Sequence, residues 1–406
     1  MREKIIVEKF GGTSVATSEK IKKIALYVKK QLSGGKIKSI IVVSAMGKET
    51  DELQQLAWEV CEKSIPTPRE FDLLMTSGER KTSPLMALAL NSIGVKAISV
   101  NSLQIGVETN EKYGNAKILS IKNIGKIKKL FKEYPVIVVP GFQGIIKGTD
   151  EVVALGRGGS DKTAIALASS LGNKYCKIHT DVDGVYAVDP RIVPGAKKFK
   201  EVGYDQMIRL SSAGAGVLMD QAVKTAADKD VTIEVRLSPS LGESDGGTLV
   251  GRMRHPPIET IWGQAGLAIQ QRVMLVKIHF PSACTSGEML ASIKEINIID
   301  ADIREQNKVS LFCSPTDLNY VLADLEKLKQ PEIKTEIREV AGLTLVDSMM
   351  KEQPGYVYRV IKSLEQAQIK YESVTSSGTS ILIVVRKDEC VRTAEALARE
   401  FSLIES

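Results

Sequence analysis

The sequence predicts an α/β fold, with a large unit built on a mainly parallel central sheet and two small modules after it. Three observations predict this. Apolar β-branched runs alternate with amphipathic helical stretches across residues 1–250. Glycine turns repeatedly join a strand to the helix that follows. Beyond residue 258 the rhythm changes, and a β-α-β-β-α order occurs twice. A chain of 406 residues is long enough for two or three domains, expected here at 1–250, 258–330 and 335–406. The start of the second is placed to lend a strand to the third.

The elements follow in order. Lys4 to Val7 reads as a strand and runs into Lys9-Phe10-Gly11-Gly12-Thr13-Ser14. Ile21, Ile24, Ala25, Val28 and Leu32 then share one helical face. Ser39 to Val43 is a continuous β-branched run typical of a buried parallel strand, and it opens into the small-residue loop Ser44-Ala45-Met46-Gly47. Open α/β sheets bind ligands at such carboxyl edges. Thr50-Asp51 lies just beyond. A helical region broken by Pro66 and Pro68 leads to Ser77-Gly78-Glu79-Arg80, and a strand at 136–139 ends in Pro140-Gly141-Phe142-Gln143-Gly144.

The stretch from Val152 to Ala164 organises the rest. An apolar run ends in Gly156-Arg157-Gly158-Gly159-Ser160-Asp161, and a helix starts at once. Glycines permit close approach of backbone to a ligand, and Arg157 offers a planar fork for carboxylate or phosphate. Ser160 and Asp161 alone would be explained as helix caps. That leaves Arg-Gly-Gly unexplained, so an anion site is expected here. Cys176 to His179 is the next strand, with His179 read as structural, followed by the loop Thr180-Asp181-Val182-Asp183-Gly184-Val185-Tyr186 and the turn Asp189-Pro190-Arg191. Helices at 204–212 and up to Lys229 precede the strand Val231 to Val235. A boundary region is expected from Gly242 to Pro257. In the tail, strands are expected at 273–278, 308–313, 342–346, 371–375 and 380–385. Helices are expected at 288–293, 318–328 and 355–367, with a last one from 391.

Composition narrows the function. The net charge of +6 comes from 55 basic and 49 acidic residues, scattered rather than clustered, which argues against a nucleic-acid groove. No run approaches the ~20 apolar residues of a membrane span, and the N-terminus lacks the apolar core of a signal peptide. Five cysteines, odd in number and without a C-x-x-C, fit a reducing compartment, so a cytoplasmic protein is expected. Three histidines show no metal-ligand spacing. No protein metal site is expected, and a catalytic metal would be Mg²⁺ held by carboxylates and substrate phosphates.

Six stretches in this order resemble the aspartokinase family: Lys9-Phe10-Gly11-Gly12-Thr13-Ser14-Val15, Val42 to Gly47, Ser77-Gly78-Glu79, Gly141 to Gly144, Leu155 to Asp161, and Thr180 to Tyr186 with Asp189-Pro190-Arg191. The resemblance covers nearly the whole chain. It implies an amino acid kinase-like domain followed by two ferredoxin-like ACT domains. The implied reaction is transfer of phosphate from ATP, with Mg²⁺, to the side-chain carboxylate of L-aspartate, giving 4-phospho-L-aspartate for lysine, threonine and methionine synthesis. Lys9 would neutralise the transferring group, with Gly11 and Gly12 cradling it beside Phe10 and Asp161 orienting Lys9. Arg157 and Glu79 would hold the α-carboxylate and ammonium of aspartate, with Thr50, Gly158, Gly159 and Ser160 around them. Thr180, Asp181, Tyr186 and Arg191 would line the nucleotide site. A homodimer or larger homo-oligomer paired through ACT domains is implied, with an amino-acid effector as a further partner.

The chain also departs from the family's pattern. Gly216 stands where the family commonly has a phosphate-facing lysine, and Met219-Asp220-Gln221 replaces His-Pro-Arg. Losing such a charge costs roughly ten- to thousand-fold in rate. Lys162 is a candidate to restore it. Pro281 to Gly287 lacks the family's Pro-Gly turn, whereas Gln353-Pro354-Gly355 and Glu372 to Ser376 keep the second repeat's pattern. Two other readings therefore stand beside aspartate kinase: a kinase of a related amino-acid carboxylate, and a catalytically weak amino-acid-sensing subunit.

Overall fold

The computed structural model describes residues 4–35, 37–61, 66–243, 246–252, 265–280, 298–305, 308–315, 317–327, 333–351 and 354–405. They form two compact units. The first comprises Met1–Val185, Lys198–Ser212 and Gly216–Ile258, and the second Tyr186–Lys197, Ala213–Ala215 and Glu259–Ser406.

The first unit begins with β1 (Lys4–Phe10), α1 (Ser18–Leu32), β2 (Ile37–Val43), α2 (Glu49–Cys61), α3 (Pro68–Met75) and α4 (Ser77–Ser92). Next come β3 (Ala97–Ser99), α5 (Ser102–Ile105), β4 (Val107–Thr109), β5 (Ile118–Ile121), α6 (Ile124–Leu130), β6 (Val136–Pro140), β7 (Gln143–Ile146) and β8 (Val152–Ala154). The unit closes with α7 (Gly159–Ser170), β9 (Tyr175–Thr180), β10 (Glu201–Gly203), α8 (Tyr204–Ser212), α9 (Asp220–Lys229), β11 (Thr232–Leu237) and β12 (Thr248–Gly251).

Eight strands make the main sheet in the order β10-β12-β11-β9-β1-β2-β6-β3, and only the β11–β12 pair is antiparallel. β12 was not foreseen: its Thr248-Leu249-Val250 run is too short to stand out and gains its place by pairing with β11. A second sheet, β5-β4-β7-β8, is built from segments of three or four residues. β2 is buried from Ser39 to Val43 because helices cover both faces of a parallel sheet. α1 buries Ile21, Ile24, Ala25 and Val28, and the Thr17 hydroxyl caps it by accepting the Lys20 N–H at 3.3 Å. α7 is different: every residue from Gly159 to Ala168 is buried, as expected of a helix enclosed on all sides.

β1 lies between β2 and β9, so the chain departs from it in both directions across the sheet. Such a switch point opens a crevice at the carboxyl ends of the strands. The loops after β1, β2 and β9 all start there.

The second unit contains β13 (Gly266–His279), β14 (Ile298–Glu305), β15 (Lys308–Cys313), α10 (Leu318–Lys327), β16 (Lys334–Val346), α11 (Tyr356–Gln366), β17 (Tyr371–Ser377), β18 (Ser380–Arg386) and α12 (Cys390–Glu400). Its six strands run β14-β15-β13-β16-β18-β17, antiparallel throughout. β14 was not foreseen, and β13 and β16 are longer than their apolar cores. They pair from Gly266↔Val346 to His279↔Lys334, with an irregularity between Gln270 and Val273. Exposed ion pairs such as Arg272–Glu339 (3.3 Å) lie along the polar part of that ladder. The segment Tyr186–Lys197 is fixed to this unit by backbone hydrogen bonds, from Leu267 N–H to Ala187 O (2.6 Å) and from Lys197 N–H to Leu403 O (2.8 Å). The helix expected at 288–293, the Pro281–Gly287 segment, Gln353 and much of the 242–257 boundary lie outside the described residues.

Candidate active site

A cleft of about 680 Å³ opens in the first unit at the switch point. β1 and its turn bring Lys9, Gly11 and Gly12 to it, and α2 brings Thr50. α4 supplies Glu79, and the end of β9 supplies Thr180. The turn before α7 contributes Arg157 and Gly158, and the first turn of that helix contributes Gly159, Ser160 and Asp161.

Local sequence explains the shape of this wall. Gly158 caps α7 at φ 69°, and a Cβ there would lie 2.7 Å from the Met219 Cβ, so both conformation and space demand glycine. Ser160 and Asp161 do not cap the helix. They are buried in its first turn, where the dipole favours an acid, and Asp161 Oδ1 meets Lys9 Nζ at 2.7 Å. Both side chains are largely enclosed, at 12% and 9% exposure. Gly12 sits against the β2 loop: its carbonyl accepts the Gly47 N–H at 3.0 Å, and a Cβ would approach the Ala45 and Gly47 carbonyls to 3.0 Å. The Gly11 N–H is committed to the His179 carbonyl at 3.2 Å. Gly11 therefore gives room beside the Lys9 ammonium rather than a hydrogen bond to a ligand.

Glu79 is 3% exposed. Its Oε1 accepts the Ala45 N–H at 3.0 Å, while Oε2 has no hydrogen-bond partner among the described residues. Burial is the main cause that raises this carboxyl, to a pKa of about 7, with Glu49 adding to the effect and the Ala45 N–H and Lys9 opposing it. A buried acceptor aimed into a cleft suits a cationic partner.

Four expected residues are not among those lining the cleft. Phe10 is fully buried in the core, because alternation along β1 turns it away from Lys9, and its ring stacks on His179. Asp181 is exposed and accepts the Thr180 hydroxyl at 3.0 Å. Tyr186 and Arg191 belong to the second unit, where Arg191 closes on Asp189 at 2.7 Å.

Lys162 does not restore the charge missing at 216. It is buried, its Nζ donates to the Leu155 carbonyl at 2.6 Å, burial lowers its pKa, and it is not part of the cleft lining. Gly216, Met219 and Asp72 do line the cleft. A Cβ on Gly216 would meet nothing within 4 Å. Asp72 was missed: its carboxylate accepts the N–H groups of Gly114 and Ala154, both at 2.8 Å at the closest, and so ties the Gly114 loop and the end of β8 to α3. A lone acid within the apolar Phe71-Asp72-Leu73-Leu74 was the available signal.

A helix-layered parallel sheet with a glycine-walled cleft at its carboxyl edge, set ahead of an antiparallel tail, defines the class. The amino acid kinase family matches residues 4–237, and an ACT domain matches residues 343–401. The chain is 37% identical to an aspartokinase of Geobacillus stearothermophilus over 99% of its length and 98% of that protein's. It is 34% identical to one of Corynebacterium efficiens over 98% and 96%. The chain belongs to the aspartokinase family. A crystal structure of E. coli aspartokinase III in complex with aspartate and ADP shares its fold at a TM-score of 0.77 and 23% identity, covering 98% of this chain and 99% of that one.

Proposed function

We propose that the protein is an aspartate kinase, transferring the γ-phosphoryl group of ATP to the side-chain carboxylate of L-aspartate. The observation that carries this reading is the enclosed Lys9–Asp161 pair in the same cleft as Arg157 and the buried Glu79. A carboxylate with a pKa near 4 is ionised at neutral pH, so its attack on phosphorus needs no general base. One carboxylate oxygen forms the new bond to phosphorus as the bond to the ADP oxygen breaks. The site must align two anions and stabilise the charge in transit.

Each residue then has a task. Asp161 holds the Lys9 ammonium against the transferring group. The Glu79 carboxylate takes the substrate ammonium on its unpaired oxygen, and Arg157 takes the α-carboxylate bidentately. Thr50 and Ser160 close around the amino acid, and Thr180 faces the nucleotide. The cleft carries two cations, Lys9 and Arg157, against the four acids Asp51, Asp72, Glu79 and Asp161. Those cations cannot balance a nucleotide's phosphates, which fits Mg²⁺ carried in on the phosphates. No group of three His, Cys, Asp or Glu side chains among the described residues is placed to cage an ion. The Mg²⁺ would supply charge neutralisation at the phosphate oxygens.

The tail supports a pair of ACT domains in this reading, at 258–330 and 335–406. The strand order β14-β15-β13 has the same relation to chain order as β17-β18-β16, as duplication of one module would give. An amino-acid effector and a homo-oligomer paired through these modules follow from the family. Among the described residues no helix is long and apolar enough to cross a membrane. The test is ADP release with MgATP and L-aspartate, with hydroxylamine present to trap the acyl phosphate. Hydroxamate formed in step with ADP is expected. Nucleotide binding without turnover would point to another amino-acid substrate, and loss of both to a sensing subunit.

A further inference from the structure

His179 is the last but one residue of β9 and lies beside the carboxyl end of β1, where Phe10 pairs with it in register and Lys9 pairs with Ile178. Side chains alternate along β1, so Glu8 and Phe10 face away from the cleft while Lys9 reaches Asp161 within it. The His179 ring lies flat on Phe10, with centroids 4.4 Å apart and planes 5° from parallel. Its Nε2 is 3.0 Å from Glu8 Oε1 and donates to that carboxylate. Its carbonyl accepts the Gly11 N–H at 3.2 Å. One residue thus grips the neighbours of Lys9 on both sides and the glycine after them.

Glu8 is held from α1 as well, by the Tyr27 hydroxyl at 3.1 Å and the Gln31 amide at 3.2 Å, with Lys177 Nζ at 3.6 Å. Glu8 and His179 are 0% and 1% exposed, and neither lines the cleft. Glu8 Oε2 and His179 Nδ1 are buried with no hydrogen-bond partner among the described residues. A buried carboxylate–imidazole pair with orphaned atoms is a costly way to fill a core that two apolar side chains could fill. Stability alone therefore does not account for it, whereas precise placement of Lys9 does.

We infer that His179 is a positioning residue: it fixes the carboxyl end of β1 from the face opposite the cleft and so sets where the Lys9 ammonium stands against Asp161. This rests on the proposed role of Lys9 in phosphoryl transfer. A displacement on the order of 1 Å at such a group costs up to about a hundred-fold in rate.

The experiment uses the full chain and compares His179→Phe, His179→Gln, Tyr27→Phe and Lys9→Ala by kcat, by KM for both substrates and by thermal melting. His179→Phe keeps the stack on Phe10 but loses the bond to Glu8. Its kcat is expected to fall about ten-fold or more with each KM within about two-fold. His179→Gln keeps a donor for Glu8 and is expected to recover most of the lost kcat; it also serves if the Phe variant does not fold. Tyr27→Phe, which leaves His179 in place, is expected to keep the parent kcat. A folded His179→Phe variant with parental kcat overturns the inference, as does a kcat loss in Tyr27→Phe as large as in His179→Phe. A Gln variant that melts like the parent but is no better than Phe overturns it too. Lys9→Ala separates the two levels. If it retains turnover, the role of Lys9 itself is wrong. If it abolishes turnover while His179→Phe does not impair it, only the positioning role is lost.

Discussion

Glu79 gives the most exposed prediction, because its proposed task and its environment oppose each other. Its carboxylate must be ionised to bind an ammonium, yet burial raises its pKa from 4.5 to about 7. The sign follows directly: a raised carboxyl is protonated below its pKa, so the binding-competent form disappears as the pH falls through 7. The ionised fraction is about nine-tenths at pH 8, one-half at pH 7 and one-tenth at pH 6. With MgATP saturating, KM for aspartate should therefore rise about ten-fold between pH 8 and pH 6, while kcat at saturating aspartate stays level. Hydroxamate formation across that range measures both. Glu79→Gln keeps the shape and removes the charge, so its KM should be high and level over the same range. That variant also exposes any titration carried by the substrates themselves. A level KM in the parent protein, or the same slope in Glu79→Gln, would refute the assignment of Glu79 to the ammonium.

Three further predictions concern residues around the cleft. Gly216→Lys should fold normally, because a Cβ there meets nothing within 4 Å, and should lower KM for MgATP by about three- to ten-fold by adding a phosphate-facing cation; an unchanged KM removes position 216 from the nucleotide's surroundings. Lys162→Met takes away the buried donor to the Leu155 carbonyl, so a loss of about 1–3 kcal/mol in denaturant unfolding is expected with KM for MgATP within about two-fold. Burial by itself pushes the Glu8 carboxyl up, but the His179 hydrogen bond and charge, helped by Lys177 and Gln31, bring it down from 4.5 to about 2. A lowered carboxyl stabilises above its unfolded pKa and loses that contribution on acidification. Unfolding free energy should fall by about 3 kcal/mol between pH 5 and pH 2 from this group, and Glu8→Gln should lack that share of the slope.

How much was legible in the sequence depended on how local each cause is. β2 and α1 were readable because their burial follows from neighbours within a few residues: an unbroken β-branched run in one, apolar spacing in the other. The glycine turns were readable because backbone conformation and close approach select glycine at the position itself, as at Gly158. β12, β14 and the three-residue strands β3, β4 and β10 were not, since each owes its existence to a partner strand rather than to its own pattern. Lys162 shows the same limit: its place in the sequence suggested a phosphate contact, but helix geometry turns its ammonium onto a carbonyl seven residues back, outside the cleft lining. Phe10 shows it by strict alternation, one residue from Lys9 and on the opposite face. Glu8 and His179 are the extreme case. They are 171 residues apart, each unremarkable in its own strand, and they meet only because β9 pairs beside β1. The same pairing brings Thr180 to the cleft and the His179 carbonyl to Gly11, so the strand order that creates the crevice also builds the clamp behind it. A substitution that weakened β1–β9 pairing would therefore disturb the core and the cleft together, whereas one confined to the His179 ring would separate them.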